Sequence, residues 1–200
     1  MSSSLYIDTI NLFNELEIFI QEIEKKSIDA DSFIINNIEI LTNSSIVLAC
    51  TYLESYIRDS FHQSIDTINF RLDEQKFPDN IFRWSVLKGE DKKLKLDQDY
   101  TKCFKIDDSD DYYEKFTDKI SANLSTTLKV FLILGIDLKS IAKFQQHKEE
   151  IANFIDIRNL IVHRNQQHSI TLGDLRNKIV VIKDYLNMLD LELNNKQYLN

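Results

Sequence analysis

The chain has 200 residues, 43% of them hydrophobic and 28% charged, with a formal net charge of −8. That is enough for one globular domain with its own core, and the acidic balance argues against a general nucleic-acid binder. Three glycines and one proline exclude a turn-rich β architecture, which needs turn residues at roughly every tenth position.

The opening, MSSSLYIDTI, lacks the basic segment and apolar run of a secretory signal. The longest uninterrupted apolar stretch, Val130 to Ile136, is far too short to span a bilayer. Cys50 and Cys103 sit in unrelated contexts without a CxxC spacing, which fits reduced thiols better than a disulfide scaffold. A cytoplasmic protein without membrane contact is expected.

In chain order, residues 4–26 read as a first helix capped by Ser3 or Ser4, with Phe13, Leu16, Ile20 and Ile23 on one stripe. Residues 31–41 read as a short helix or a lead-in to the next. Residues 44–63, SSIVLACTYLESYIRDSFHQ, form a second strong pattern, with Ile46, Cys50, Leu53 and Ile57 facing inward. Glu54 and Arg58 stand four apart and can pair along its surface.

Residues 64–118 are less regular and read as an insertion with short helices of its own. They hold Pro78, Trp84, the basic run KKLK at 92–95 and the acidic run DDSDD at 107–111. Helical pattern resumes over 119–135 and stops at Gly135, a C-terminal cap. A short piece follows from Asp137. Residues 147–163 form another helix, with Ile151, Phe154, Ile155 and Val162 among its apolar positions. The last helix spans about 172–193, opened by a Thr171/Asp174 capping box in which Asp replaces the usual Glu.

Residues 158–165, RNLIVHRN, close the 147–163 helix. Lys139 to Tyr185 carries eight Lys/Arg against five Asp/Glu, a local +3 inside an acidic chain. Arg158 and His163 are five apart, so on a regular helix they point about 140° from each other, whereas Asn159 and His163 can share a face. The pair meets at one ligand only at a helix end, between two helices, or across a two-fold dimer that supplies two Arg and two His to one cleft. That set suits metal-free RNA cleavage by the ribose 2′-OH. Histidines remove one proton and deliver another. Arginine holds the non-bridging oxygens as charge builds on phosphorus.

The stretch IDIRNLIVHRN resembles the signature of the HEPN superfamily, an arginine followed after four to six residues by a histidine. Arg158, Asn159 and His163 match it as R-N-x3-H. TYLESYIRDSF and LILGID resemble the flanking segments of bacterial HEPN proteins. The resemblance extends loosely over residues 4–63 and 119–193 and is specific at 151–165. It implies an all-α bundle that dimerises, and commonly a metal-independent endoribonuclease acting as a toxin or antiphage effector beside an antitoxin or other protein partner. Toxin members with R-x4-H-x-Y have the tyrosine modified by a partner enzyme; Asn165 stands at that position here, which puts this form of control in doubt. Other members bind RNA or nucleotide without cleaving it.

Ordinary readings stand beside these. Arg158 and His163 are also what a helix C-terminus attracts, since its dipole stabilises cations; the same dipole favours the general-acid role for His163. Asn159 orients His163 or a phosphate, or is simply a polar helix residue. Glu54 lines the site, or pairs with Arg158 or, as the four-residue spacing favours, with Arg58, and Arg164 contacts phosphate or is solvated. Tyr52 and Tyr56 fit core or interface better than base stacking, and His168 fits a solvated loop. His62 and His147 have no partners at metal spacing. DDSDD has Tyr112 where an EF-hand loop needs glycine, and KKLK with Trp84 fits a charged insertion better than an RNA contact.

The sequence therefore reads as one all-α, HEPN-like domain over 1–200. It has four to five main helices and an irregular insertion at 64–118, between the second and third core helices. Arg158 and His163 are the catalytic pair, Asn159 and Glu54 support them, and Arg164 contacts RNA. A homodimer and an RNA substrate are expected, with neither cofactor nor metal. The rival readings are a non-catalytic HEPN dimer that binds RNA, nucleotide or protein, and a structural helical interaction protein.

Overall fold

The first helix, α1 (Ser4–Ile28), starts where the Ser3 side chain accepts a hydrogen bond from the Tyr6 amide, which satisfies one of the free N–H groups of the first turn. The computed structural model of the chain describes residues 3–74, 106, 110–164 and 170–196, the side chains at 73, 74 and 164 excepted. The runs KKLK and most of DDSDD, with Pro78, Trp84, Cys103, Asn165 and His168, lie outside the described residues.

Two helix ends show one device built from different residues. The α1 end folds back through Ala30 N–H to the Ser27 carbonyl and Asp31 N–H to the Lys26 carbonyl. These are the paired bonds of a Schellman motif, which needs a left-handed residue between them. Ala30 fills that place at φ 61°. The helix Leu124–Ile133 ends the same way, with Gly135 N–H to Leu132 and Ile136 N–H to Phe131, and Gly135 takes φ 68°. Glycine adopts that conformation freely; alanine crowds its Cβ against a carbonyl.

Asp31 then accepts from the Phe33 and Ile34 amides and so starts α2 (Ser32–Glu74). The sequence left residues 31–41 open as a short helix or a lead-in and ended the next helix at 63; they are the lead-in of one continuous helix, which runs eleven residues further. The polar stretch TNSS does not break it because the Thr42 and Ser45 hydroxyls donate to the carbonyls four residues back, a mode the helix interior tolerates. By length and composition alone α2 is apolar enough to cross a bilayer, which the search for uninterrupted runs missed. Its most apolar stripe is core: Ile46, Ala49, Cys50, Leu53, Tyr56, Ile57 and Phe61 are all buried.

Residues read as insertion also supply α3 (Asp111–Thr117). Its Tyr113 hydroxyl lies 2.6 Å from His62 Nδ1, and Phe61 packs against both Tyr113 and Phe116. Next come α4 (Leu124–Ile133), a 3-10 turn at Leu138–Ser140, α5 (Ala142–Arg164) and α6 (Leu172–Asn194). The helix expected over 119–135 thus begins at 124, because Asn123 caps it there. The one expected over 147–163 begins at 142, since nothing in AKFQQ stops it.

All regular structure among the described residues is helical. The core bundle is α1, α2, α5 and α6, with α2 against each of the other three and α4 closing over α2 and α5. Burying each large apolar side chain in it contributes roughly 1.5–3 kcal/mol. The α6 helix opens with the Thr171/Asp174 capping box; the bonds from Thr171 hold the Asp174 carboxyl below its ordinary range. Its far end carries Asp190, 1% exposed. The Asp190 carboxylate accepts from the Ser3 hydroxyl and amide, the Tyr56 hydroxyl and the Asn194 amide, and so ties the start of α1 to α2 and α6.

Two stability predictions follow from these contacts. Replacing Ala30 by glycine removes the left-handed strain at a smaller cost in chain entropy, so Ala30→Gly should stabilise by about 0.5–1 kcal/mol. That appears as a higher urea midpoint at unchanged slope; a lower midpoint would show that the turn is unstrained. Asp190→Ala strands buried donors and should cost about 2 kcal/mol, and a urea melt within a few tenths of wild type would refute that role.

Candidate functional site

The RNLIVHR residues all lie on α5, which carries the expected pair to its last turn. Ile151, Phe154 and Ile155 are buried and fix the helix against the core. Arg158 and Asn159, one turn beyond, are half-buried, and His163 is exposed. Helical geometry keeps the two side chains apart as their spacing requires. Arg158 and Asn159 line a cleft of about 200 Å3; His163 is outside it and has no hydrogen-bond or ion-pair partner among the described residues. Within one chain the fold therefore brings Arg158, Asn159 and Glu54 together and does not bring His163 to them. The Arg164 side chain is not among the described residues.

One wall of the cleft is α2. Glu54 and Cys50 face α5 from there, one turn apart on the same stripe. The pairing expected from sequence spacing forms, with Arg58 Nη2 3.0 Å from Glu54 Oε1. Both side chains are partly exposed, at 38% and 29%, so the pair contributes little stability by itself. Its effect is positional. The same Arg58 nitrogen donates to the Ile120 carbonyl at 3.1 Å, which ties the loop before α4 to α2.

That loop forms the second wall, through Ser121, Ala122 and Asn123. Ile120 and Ala122 are buried, so alternate residues pin the loop while Ser121 and Asn123 reach the cleft. Neither was singled out from the sequence. The available signal was the string SANLST, a polar cap before an apolar helix, read only as part of a helix.

The chemistry on offer is unequal. Arg158 makes no ion pair among the described residues, and its Nη1 donates to Asn159 Oδ1 at 3.1 Å. A guanidinium left without a carboxylate in an acidic protein is set to receive an anion. Among the described residues Glu54 is the one carboxylate on the cleft, with one oxygen already held by Arg58. Cys50 is 3% exposed. Burial pushes its thiol up to about 12, against a smaller opposing pull from Arg158, so it is a neutral lining group and no nucleophile.

Tyr52 and Tyr56, weighed as base-stacking residues, serve packing. Tyr52 meets the Phe13 ring edge to face at 5.6 Å, and Tyr56 is buried, its hydroxyl pushed upward by burial and by Asp190. His62 is held by Tyr113.

A family model described as RiboL-PSP-HEPN matches residues 7–195 of the chain. No curated protein and no solved structure matches it.

The state of Cys50 can be checked directly. In a Cys103→Ser background, iodoacetamide at pH 8 should leave Cys50 unmodified in the folded protein and alkylate it once urea unfolds the chain. Rapid labelling of the folded form would show an accessible or ionised thiol.

Proposed function

The chain belongs to the RiboL-PSP-HEPN family, and on that premise we propose that it is a cytoplasmic, metal-independent endoribonuclease of the HEPN type. It acts as a homodimer, in the role of a toxin or antiphage effector held by an antitoxin or other protein partner. The observation that carries the reading is the cleft: among the described residues, a guanidinium without an ion pair, one carboxylate, and side-chain amides on two walls.

In this mechanism Arg158 holds the non-bridging oxygens of the scissile phosphate, and Asn159 orients the Arg158 guanidinium through their hydrogen bond. The ribose 2′-oxygen attacks phosphorus as one histidine takes its proton. The bond from phosphorus to the 5′-oxygen breaks as a second histidine protonates the leaving oxygen. The products are a 2′,3′-cyclic phosphate and a 5′-hydroxyl, with no water consumed. Glu54 borders the phosphate position and supports the geometry, and Arg164 contacts RNA.

Two histidines require two subunits, since each chain offers one His163. The exposed positions of His163 and of Val162 beside it support a two-fold pairing of α5 ends, which brings each His163 toward the other subunit's Arg158.

The test is cleavage of a labelled RNA in EDTA by purified protein. Wild type should leave 2′,3′-cyclic phosphate ends. Arg158→Ala should cost about 10²–10³-fold in kcat, and His163→Ala about 10²–10⁴-fold. A folded dimer that binds RNA without cutting it would move the assignment to a non-catalytic HEPN module. Equal cleavage by all three proteins would place any activity elsewhere.

A further inference from the structure

Asn123 does two things with two ends of one amide. Its Oδ1 accepts from the Thr126 backbone N–H at 3.0 Å and from the Ser125 hydroxyl at 2.7 Å. An oxygen must occupy that position, because both partners present hydrogens. The Nδ2 group is therefore the end left for another partner. It has no partner among the described residues, and Asn123 is exposed at the cleft that Arg158 lines from another wall.

Asn159 repeats the pattern. Its Oδ1 is taken by Arg158, and its Nδ2 is likewise unpartnered among the described residues. Two amides on different walls thus have their acceptor ends occupied and their donor ends open. With Arg158 they give the cleft three donor groups for an oxygen-rich anion. The cleft holds about 200 Å3, room for a small oxygen-rich group such as a phosphate.

We propose that Asn123 is a substrate-binding residue of this cleft: its Nδ2 donates to a phosphate or ribose oxygen of RNA from the wall opposite Arg158. This rests on the ribonuclease reading for the identity of the ligand. It adds a residue outside the arginine–histidine motif and places the loop before α4 in substrate binding. Because Oδ1 is committed to the helix cap, Asn123 serves RNA as a donor only. It is set for phosphate and ribose oxygens and cannot accept from a base amine.

The two functions separate by substitution. Aspartate and serine both cap helices about as well as asparagine, and neither carries the amide donor. Asn123→Asp replaces the donor by a charged acceptor, and Asn123→Ser removes it without charge. The probe is a 2′-O-methyl oligonucleotide, which the proposed mechanism cannot cleave, with affinity read by fluorescence anisotropy beside thermal melts of each variant.

Asn123→Ser should weaken binding roughly tenfold and Asn123→Asp roughly a hundredfold, with melting temperatures close to wild type. KM for cleavable RNA should rise in step. Wild-type affinity in both variants would overturn the role of Asn123 while leaving the Arg158 cleft intact. If affinity falls only as far as the melting temperature does, Asn123 is a cap and nothing more, which also overturns it. No binding by the wild-type protein would overturn both this inference and the ribonuclease reading.

Discussion

The buried stripe of α2 is the constraint on which the rest depends. Ile46, Ala49, Cys50, Leu53, Tyr56, Ile57 and Phe61 are all inside, and α1, α5 and α6 each pack against this one helix. Where the stripe carries small side chains, at Ala49 and Cys50, the helix facing it can approach closely. Cys50 and Ile155 are buried and both line the cleft, so core side chains form the floor of the cleft that Arg158 and Glu54 share. Core and site share a helix face here. A repacked floor would therefore move the guanidinium.

Electrostatics then act on a frame that packing has already fixed. Arg58 holds Glu54 and the Ile120 carbonyl together, joining two walls at modest energetic cost because both charges keep contact with solvent. Elsewhere three more ion pairs form on the surface: Arg176 meets Glu24, Lys115 meets Asp111, and Lys183 meets Glu17. Arg158 has no such partner among the described residues. A half-buried guanidinium that lines a cleft without an acid beside it is a physical reason to expect a ligand anion, independent of any motif.

Much of the architecture was legible because it rests on local chemistry. The helical stripes, the Ser3 cap, the Thr171/Asp174 box, the stop at Gly135 and the Glu54–Arg58 pair depend on residues within one or two turns of each other, and each formed. The errors have local causes too. TNSS looked like a break because its polar side chains favour turns, and back-bonding to the preceding helical turn absorbed them. Ala30 gave no stop signal because only its backbone, and no glycine, marks the turn. The α3 helix was hidden in an acidic run whose apolar members, Tyr113 and Phe116, find their partners some fifty residues away on α2.

The sequence by itself determined the helical class, the ends of several helices and the R-N-x3-H spacing, since these follow from periodicity and from contacts within a few residues. It also determined that Arg158 and His163 diverge, since five residues on a helix cannot be turned to one side. Only the tertiary structure decided what stands opposite Arg158. Glu54 on α2 and Asn123 before α4 lie 104 and 35 residues away along the chain, and no local pattern encodes which distant surfaces close on each other. That choice belongs to the burial of α2, which pays for every helix it holds and positions the cleft as a consequence.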